Sequence, residues 1–488
     1  MNQRIDHTIL SYYSDMETFD HLTKSDFLRF LDAPMHLWAA RHDHIETSLS
    51  PFDMHLIDQG YQAEQLAREY IQANLLNAQN GDILHWQETY SYDEFTIRTD
   101  ALVEKTGPNT FDLYEIKSGT SVKPENILDA AFQFFILEKL LSIDRVFILH
   151  LNKEYVRQGA LQTGSLFTAE DITGLVSEKM GQVKSILPAV LETARSETMQ
   201  NIPHCLSPKT CPCPSICHPN LPEHSIYDIP RLSAHKKNDL IAQGILSIRD
   251  IPASFNLNEK QSRIVDVVRS NAEYIDQAAI KAQFDGFIFP LYFLDYETCL
   301  TAIPQFNGYH PQQQMVFQYS LHKIETPQGA LTHTEYLADT KSDPSIELVR
   351  KLRADMGDMG TVFVWNKSFE MTRNKEMAFI HPEFEPFLSA LDQRVYDLGD
   401  FVSQGLYLHP DFKGSWSIKN VLPVMVPDLT YEHLDVNKGD QAMTVWWRMI
   451  NNHLSEIEKE VIKASLLAYC KMDTLAMVRI WGKLREMC

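Results

Sequence analysis

The stretch PLYFLDYETCL, from Pro290 to Leu300, decides how the C-terminal part of the chain is read. Pro290 to Leu294 is an unbroken apolar run opened by proline, the pattern of a buried strand. It runs into Asp295-Tyr296-Glu297, so two carboxylates two residues apart leave one face at the strand's end. Working outward, Met359 to Trp365 is another such strand, delivering Asn366-Lys367-Ser368-Phe369-Glu370. Near the C-terminus, Ser455 and Glu458 form a capping-box pattern that opens an amphipathic helix over Glu456 to Glu486. Tyr469 and Asp473 stand four apart on it and share a face. Between these elements, Met315 to Ser320 predicts the next strand, paired against the one ending in Asp295. The glutamines and aromatics of Ala302 to His322 are also candidates for stacking on nucleobases.

A second acidic group lies upstream. Glu94 to Glu104 and Phe111 to Ser118 read as strands joined by Thr106-Gly107-Pro108-Asn109, which makes a hairpin. A centre between Gly107 and Pro108 sets Asp100 opposite Glu115, and Lys117 shares the Glu115 face. Two facing carboxylates repel strongly, so they need a cation or a shared proton. Mg2+ is the simplest answer, with the Lys117 ammonium orienting a metal-bound water. Taken alone, the Glu-x-Lys pattern reads as an exposed surface hairpin rather than a site.

Four of the seven cysteines, Cys205, Cys211, Cys213 and Cys217, fall within HCLSPKTCPCPSICHP. Clustered thiols in a reducing compartment point to Zn2+ or an iron-sulfur cluster, with the prolines stiffening the loop; an unliganded reduced loop is the alternative. Beyond it, Lys236 to Pro252 reads as two short helices joined by Gly244-Ile245, either half of a phosphate-binding helical hairpin or a plain linker.

Asp100 with Glu115-Ile116-Lys117 resembles the signature of PD-(D/E)XK nucleases, especially their RecB-like branch. That resemblance implies a further carboxylate at Glu64, after Gly60-Tyr61, and a helix-borne catalytic glutamine at Gln133; the usual tyrosine one turn later is absent. Iron-sulfur variants of that branch use three cysteines at the domain's end, here matching Cys205, Cys211 and Cys217, and one near its start. At that fourth position, in the match running from Lys24 through Pro34 to Trp38, stands Ala33; Cys213 is a candidate replacement. A [4Fe-4S] cluster or Zn2+ there would tie the domain's end to its start.

Asp295-x-Glu297, the segment Asn366 to Glu370, and Tyr469-x-x-x-Asp473 resemble DnaQ-like 3′-5′ exonucleases of the ribonuclease H fold. The resemblance implies two Mg2+ or Mn2+ ions held by Asp295, Glu297, Glu370 and Asp473, with Tyr469 orienting the attacking water. Glu370 stands where that family has aspartate, and Asp397 and Asp400 are candidate substitutes. The two resemblances together imply a multidomain α/β chain resembling an uncharacterised bacterial two-nuclease family. Its expected parts are a restriction-endonuclease-like α/β/α domain over 1–222, a helical linker over 223–285, and a ribonuclease-H-like mixed-sheet domain over 286–488.

Composition bounds these readings. At 488 residues, 44% hydrophobic and 22% charged, the chain is long enough for two or more globular domains. Its richest apolar stretch, Ala130 to Leu151, is broken by Glu138, Lys139, Asp144 and Arg145, and residues 1–15 lack the apolar core of a signal peptide. A cytoplasmic location is therefore expected. The net charge of -21 argues against a general nucleic-acid coat, although bound cations reverse the sign locally at an acidic site. Lys236, Lys237, Arg249, Lys260, Arg263 and Arg269 are the candidates for a local basic groove. The expected partner is nucleic acid, single-stranded DNA or DNA ends foremost, with RNA open. A protein that only holds nucleic-acid ends, or a nucleotide phosphoesterase, are the competing expectations.

Overall fold

The computed structural model describes residues 21–45, 48–107 and 109–487. The expectation for residues 1–15, and Pro108 at the hairpin tip, lie outside these. The chain is mixed α/β with several sheets and divides into two compact units. Residues 21–45, 63–152 and 163–218 form one. Residues 48–62, 153–162 and 219–488 form the other. The helical region expected as a linker groups with the second unit, although it keeps a small core of its own around Ile226, Leu240, Ile248 and Val265. No helix among the described residues is long and apolar enough to cross a membrane.

The first unit is built on a five-stranded sheet in the order Ile83–Trp86, Ala101–Lys105, Thr110–Lys117, Ile143–Leu151, Phe167–Asp171. Val146 to Leu151 is almost wholly apolar because its strand is flanked on both sides and covered by helices. Helices Pro124–Leu137 and Thr173–Arg195 pack together over the core formed by Leu102, Leu113, Ile148, Phe132 and Val183. The expected run Glu94 to Glu104 is not one strand. Phe95–Arg98 joins a separate three-stranded sheet with Leu22–Thr23 and Thr89–Tyr92, and the chain changes sheet at Thr99-Asp100. From there the hairpin register is the expected one, since Ala101 faces Tyr114 and Leu102 faces Leu113, which leads Asp100 to Glu115.

In the second unit the sheet order is Leu331–Leu337, Gln314–Ile324, Leu291–Leu300, Thr361–Val364, Val395–Asp397. The first three strands are antiparallel neighbours, and the last two run parallel to the central one. The central strand does not end at Asp295. It continues through both carboxylates to Leu300, with its register shifting between Glu297 and Thr298, so the acids sit in mid-strand next to a bulge. Gly360 enters the neighbouring strand at φ +101°, where a Cβ would collide with the Pro290 carbonyl oxygen. Only glycine lets the two strand starts meet there. The helix Glu456–Glu486 lies along this sheet, its capping box formed as expected by Ser455 and Glu458.

Ala302 to His322 turns inward. Tyr309 is buried against Asp343 and Ser345, Phe317 stacks on Trp446 at 4.4 Å, and Gln318 donates to the Leu466 carbonyl. These groups satisfy the core and are not presented to a base, because the strand Gln314–Ile324 is covered on both faces.

Candidate active sites

In the first unit, strand geometry brings Glu115 and Lys117 to one face, and the helix Pro124–Leu137 sets Asp129 and Gln133 one turn apart against them. Lys117 Nζ donates to Glu115 Oε1 at 2.6 Å and to Asp129 Oδ2 at 2.8 Å. Lys24, from the first described helix, reaches the same Glu115 oxygen at 2.9 Å. Gln133 Nε2 takes the other, Oε2, at 2.6 Å and also donates to Asp129 at 3.0 Å. Asp100 accepts from the Ile116 N–H at 2.7 Å. Glu64 bonds Gln87, whose own N–H donates to the Asp100 carbonyl. Asp100, Glu115, Lys117 and Gln133 thus gather at one end of the sheet, with Gln133 fully buried beneath the carboxylates, while Glu64 is linked to them only through Gln87.

Two residues that patterning did not assign complete this group, Lys24 and Asp129. They define its electrostatics. Burial pushes the Asp100 carboxyl up to about 8, reinforced by the charge on Glu115. Burial acts in the same direction on Glu115, but Lys24 and Lys117 outweigh it and hold that carboxyl well below the usual range. Burial lowers Lys24, yet Glu115, Asp129 and Asp100 prevail and raise it. The two ammoniums thus hold Glu115 ionised, while burial and the Glu115 charge raise Asp100 and Asp129.

The second unit differs in kind. Asp295 and Glu297 on the central strand meet Asp473 and Tyr469 on the long helix around a cavity of about 170 Å³, also walled by Trp365, Ile418, Lys419 and Met477. Tyr431 donates to Asp473 Oδ1 at 2.6 Å, and Tyr469 hydrogen-bonds the same carboxylate. Cys470 lies beside Asp295, its Sγ 3.5 Å from Oδ2, and carboxylate oxygens of Asp295 and Glu297 lie within 4.8 Å of it and of each other. Glu370 is buried on the helix Lys367–Ile380 with Oε2 unpartnered, close enough to Asp295 for their charges to interact. Asp397, a candidate substitute, is already used. It accepts from the Asn366, Lys367 and Gly399 N–H groups and so anchors the start of the Glu370 helix, while Asp400 accepts from Ser403.

Here burial and mutual repulsion act without matching cations. Burial, then Asp473, pushes Asp295 far up; burial, Asp295 and Asp473 do the same to Glu297; burial, then Asp295, raises Glu370. Burial raises Asp473 to about 6 against the opposing pull of Tyr431, Lys419 and Tyr469. Lys419 is the cation acting on Asp295, Glu297 and Asp473, its Nζ 5.5 Å above the Tyr469 ring and bonded to the Asn437 carbonyl, while Arg373 acts on Glu370. Buried carboxyls with an unpartnered oxygen and a small open cavity fit a divalent cation, which removes the repulsion that raises them. Lys419, Tyr431 and Cys470 escaped sequence reasoning; of these only Cys470, next to Tyr469 on the helix, was within reach of a spacing argument.

Beside this site runs a larger groove of about 700 Å³ between the helical region and the second sheet's loops. Arg231, Lys260, Lys367, Lys413 and the half-exposed Trp416 line it, and Trp365, on the wall of the acidic cavity, donates to the Trp416 carbonyl at 3.0 Å. Of the expected basic candidates only Lys260 faces it. Lys236 bonds the Asn256 carbonyl, Arg269 the Ile251 carbonyl, and Arg263 pairs with Glu259. The helical hairpin is also incomplete, because Ala234–Ala242 is followed by a single 3-10 turn, Ile248–Asp250.

At the end of the first unit, the buried segment Cys205 to Cys217 packs on Ala33, Met35, Trp38 and Ala39. The six described cysteines are free, and Cys213 Sγ lies 3.7 Å from Cys217 Sγ. Ala33 is therefore at the thiol cluster, where the resemblance expects a cysteine, but offers no donor atom.

Residues 292–417 match the model of a domain of unknown function, DUF2779, a span that takes in Asp295, Glu297, Glu370 and Asp397 and stops short of Tyr469 and Asp473. The chain is 36% identical over 133 residues to Uncharacterized protein UU173 of Ureaplasma parvum, covering 24% of this chain and 19% of that protein. It is 27% identical over 205 residues to Uncharacterized protein MG366 homolog of Mycoplasma pneumoniae, and 28% over 206 residues to Uncharacterized protein MG366 of Mycoplasma genitalium. Each of those matches covers 38% of this chain and 31% of the relative, so the chain spans less than a third of the length of these curated relatives. No solved structure matches it.

Proposed function

We propose that this protein is a divalent-metal-dependent nuclease with two acidic sites, a RecB-like PD-(D/E)XK site in the first unit and a DnaQ-like 3′-5′ exonuclease site in the second. The observation that carries the reading is the meeting of Asp295, Glu297 and Asp473 around a small cavity faced by Tyr469, with Glu370 buried close enough to Asp295 for their charges to interact and all four carboxyls raised by burial. The sheet order, with one edge antiparallel and the other parallel to the acid-bearing strand, supports a ribonuclease-H-like fold for this unit. Mg2+ or Mn2+ bound there would supply an activated water and charge for the leaving oxygen. The chain's own groups do the rest. Tyr469, held by Asp473, places its hydroxyl where an attacking water would be oriented; Lys419 offers positive charge to a phosphate; Trp365, Ile418 and Met477 give an apolar wall for a sugar or base. The groove beyond Trp365, where Arg231, Lys260, Lys367 and Lys413 stand beside Asp228, Asp397 and Asp400, offers a path for a single strand or a frayed end. In the first unit Lys117 and Gln133 position Glu115, with Asp100 and Glu64 completing the acidic set. A cytoplasmic, nucleic-acid-processing role follows.

The test is a digest of end-labelled single-stranded and duplex DNA and RNA with Mg2+ or Mn2+, against a chelator control. Release of mononucleotides from 3′ ends is expected, abolished by Asp295→Ala. Absence of cleavage with both metals, while a panel of free nucleotides is hydrolysed, would leave the phosphoesterase reading, which the net charge of -21 favours. Binding of labelled ends without any hydrolysis would leave an end-holding protein.

A further inference from the structure

One ligand-like cluster lies apart from both acidic sites. A His36 ring nitrogen and the sulfurs of Cys205, Cys211 and Cys217 all lie within 4.8 Å of one another. We propose that they form a mononuclear Cys3His zinc site, with His36 as the fourth ligand and Cys213 outside the coordination sphere.

Three observations converge on this assignment. The first is spacing. With Zn–S near 2.3 Å and Zn–N near 2.0 Å, tetrahedral geometry sets neighbouring donor atoms roughly 3.5 to 3.8 Å apart. His36 Nε2 is 3.4 Å from Cys211 Sγ, and all four donor atoms lie within 4.8 Å of one another. A four-iron cluster stands between its thiolates and spreads them by its own width, so this convergence fits one ion better than a cubane. The second is the orientation of the imidazole. Nδ1 lies 2.6 Å from the Asp32 carboxylate, four residues earlier, so the ring donates Nδ1–H there and turns the Nε2 lone pair toward the sulfurs. A carboxylate behind the distal nitrogen is how metal-bound histidines are held in the right tautomer. The third is the surroundings. His36 is 3% exposed, and its Nε2 is buried against the Cys211 sulfur, where a polar atom must keep such a partner; His218, whose Nε2 lies 3.2 Å from Cys205 Sγ, stays outside the convergent set.

The site also accounts for Ala33. The chain leaves the fourth-cysteine position without a donor and supplies one three residues further on, from the helix Pro34–Arg41. Cys213 touches Cys217 but does not belong to the convergent set, and it caps the short helix Pro214–Cys217. Three thiolates and a neutral imidazole hold Zn2+ with a net charge of -1, and binding releases the thiol protons. The ion would lock a junction already marked by two bonds, Met35 N–H to the Pro203 carbonyl and Trp38 Nε1 to the Ser196 carbonyl.

The full chain is purified anaerobically from cells supplied with both iron and zinc, and its metals and acid-labile sulfide are counted. One zinc per chain and no sulfide are expected. Cobalt substitution should give a tetrahedral spectrum with thiolate charge transfer that His36→Cys moves toward the four-thiolate type. Cys213→Ser should keep full zinc content. His36→Ala should lose it, and Asp32→Ala should weaken zinc about 10- to 100-fold in a chelator competition. Should His36→Ala be insoluble, His36→Cys carries the test, because it keeps four donors. A brown protein with stoichiometric iron and sulfide would overturn the proposal. So would zinc lost in Cys213→Ser but retained in His36→Ala, an unchanged cobalt spectrum in His36→Cys, or a wild-type chain that takes up no zinc. None of these readouts depends on cleavage, so the site and the nuclease reading fail separately.

Discussion

Glu115 has neither oxygen free, one shared by Lys24 and Lys117 and the other taken by Gln133. Lys117→Ala leaves Lys24 and Gln133 in place, so the variant should fold, at a cost of about 1–3 kcal/mol for the lost charged hydrogen bonds. One of the two cleavage activities should fall on the order of 100-fold or more, and only one. Wild-type cleavage of every substrate by this variant, at unchanged circular dichroism, would remove the first site from the mechanism. Asp295 is the opposite case, a buried carboxylate surrounded by acids. Asp295→Asn keeps its shape and removes a charge, so the metal-free variant should melt higher than the wild type while losing end-dependent activity. A lower melting temperature in the presence of chelator would mean that this repulsion is absent.

At the scale of elements, the helix Glu456–Glu486 carries Tyr469 and Asp473 well beyond its first turn. Ser455 accepts from the Glu458 N–H while Glu458 returns to Ser455, so two otherwise unpaired donors are satisfied. Ser455→Ala should cost about 1 kcal/mol in denaturant titration and leave activity unchanged, since fraying stops before the catalytic face. A large loss of activity would mean that the helix start moves the site. The close approach at Gly360 is less forgiving. Gly360→Ala adds a Cβ against the Pro290 carbonyl at a φ that L residues avoid, and should unfold or strongly destabilise the second unit, seen as a drop in soluble yield and melting temperature. Wild-type stability would show that the two strand starts can part.

The second site also sets how the whole molecule responds to pH and metal. A carboxyl raised by folding keeps its proton at a pH where the unfolded chain, with ordinary values near 4, has lost it. Its contribution to stability is therefore largest at low pH and is lost as pH rises toward the folded value. Asp473, raised to about 6, places the window for that group between roughly 4 and 6, and the higher Asp295, Glu297 and Glu370 extend it upward. Divalent metal removes the penalty by binding the ionised form. Mg2+ or Mn2+ should accordingly raise the melting temperature more at pH 8 than at pH 5.5. His322 and His333, held by burial down to about 3 and about 4, act with the opposite sign as pH falls below 6.5, but they are present with and without metal and cancel in that difference. Equal metal-induced shifts at both pH values would contradict the assignment of those acids as ligands.

Local pattern in the sequence was enough for features governed by neighbours along the chain. The hairpin register that leads Asp100 to Glu115, the capping box at Ser455 and the helix face shared by Tyr469 and Asp473 all follow from periods of two or 3.6 residues and from turn chemistry. The break at Thr99-Asp100 and the continuation of the central strand past Asp295 did not follow, because which sheet a strand joins is set by partners elsewhere. Nor could spacing link Lys24 to Glu115, 91 residues away, Lys419 to Asp473, or His36 to Cys211, 175 residues away. The sequence alone determined which residues carry charge, thiol and imidazole; only the tertiary structure decided which of them meet, because burial and ion pairing act between groups that local periodicity never brings together.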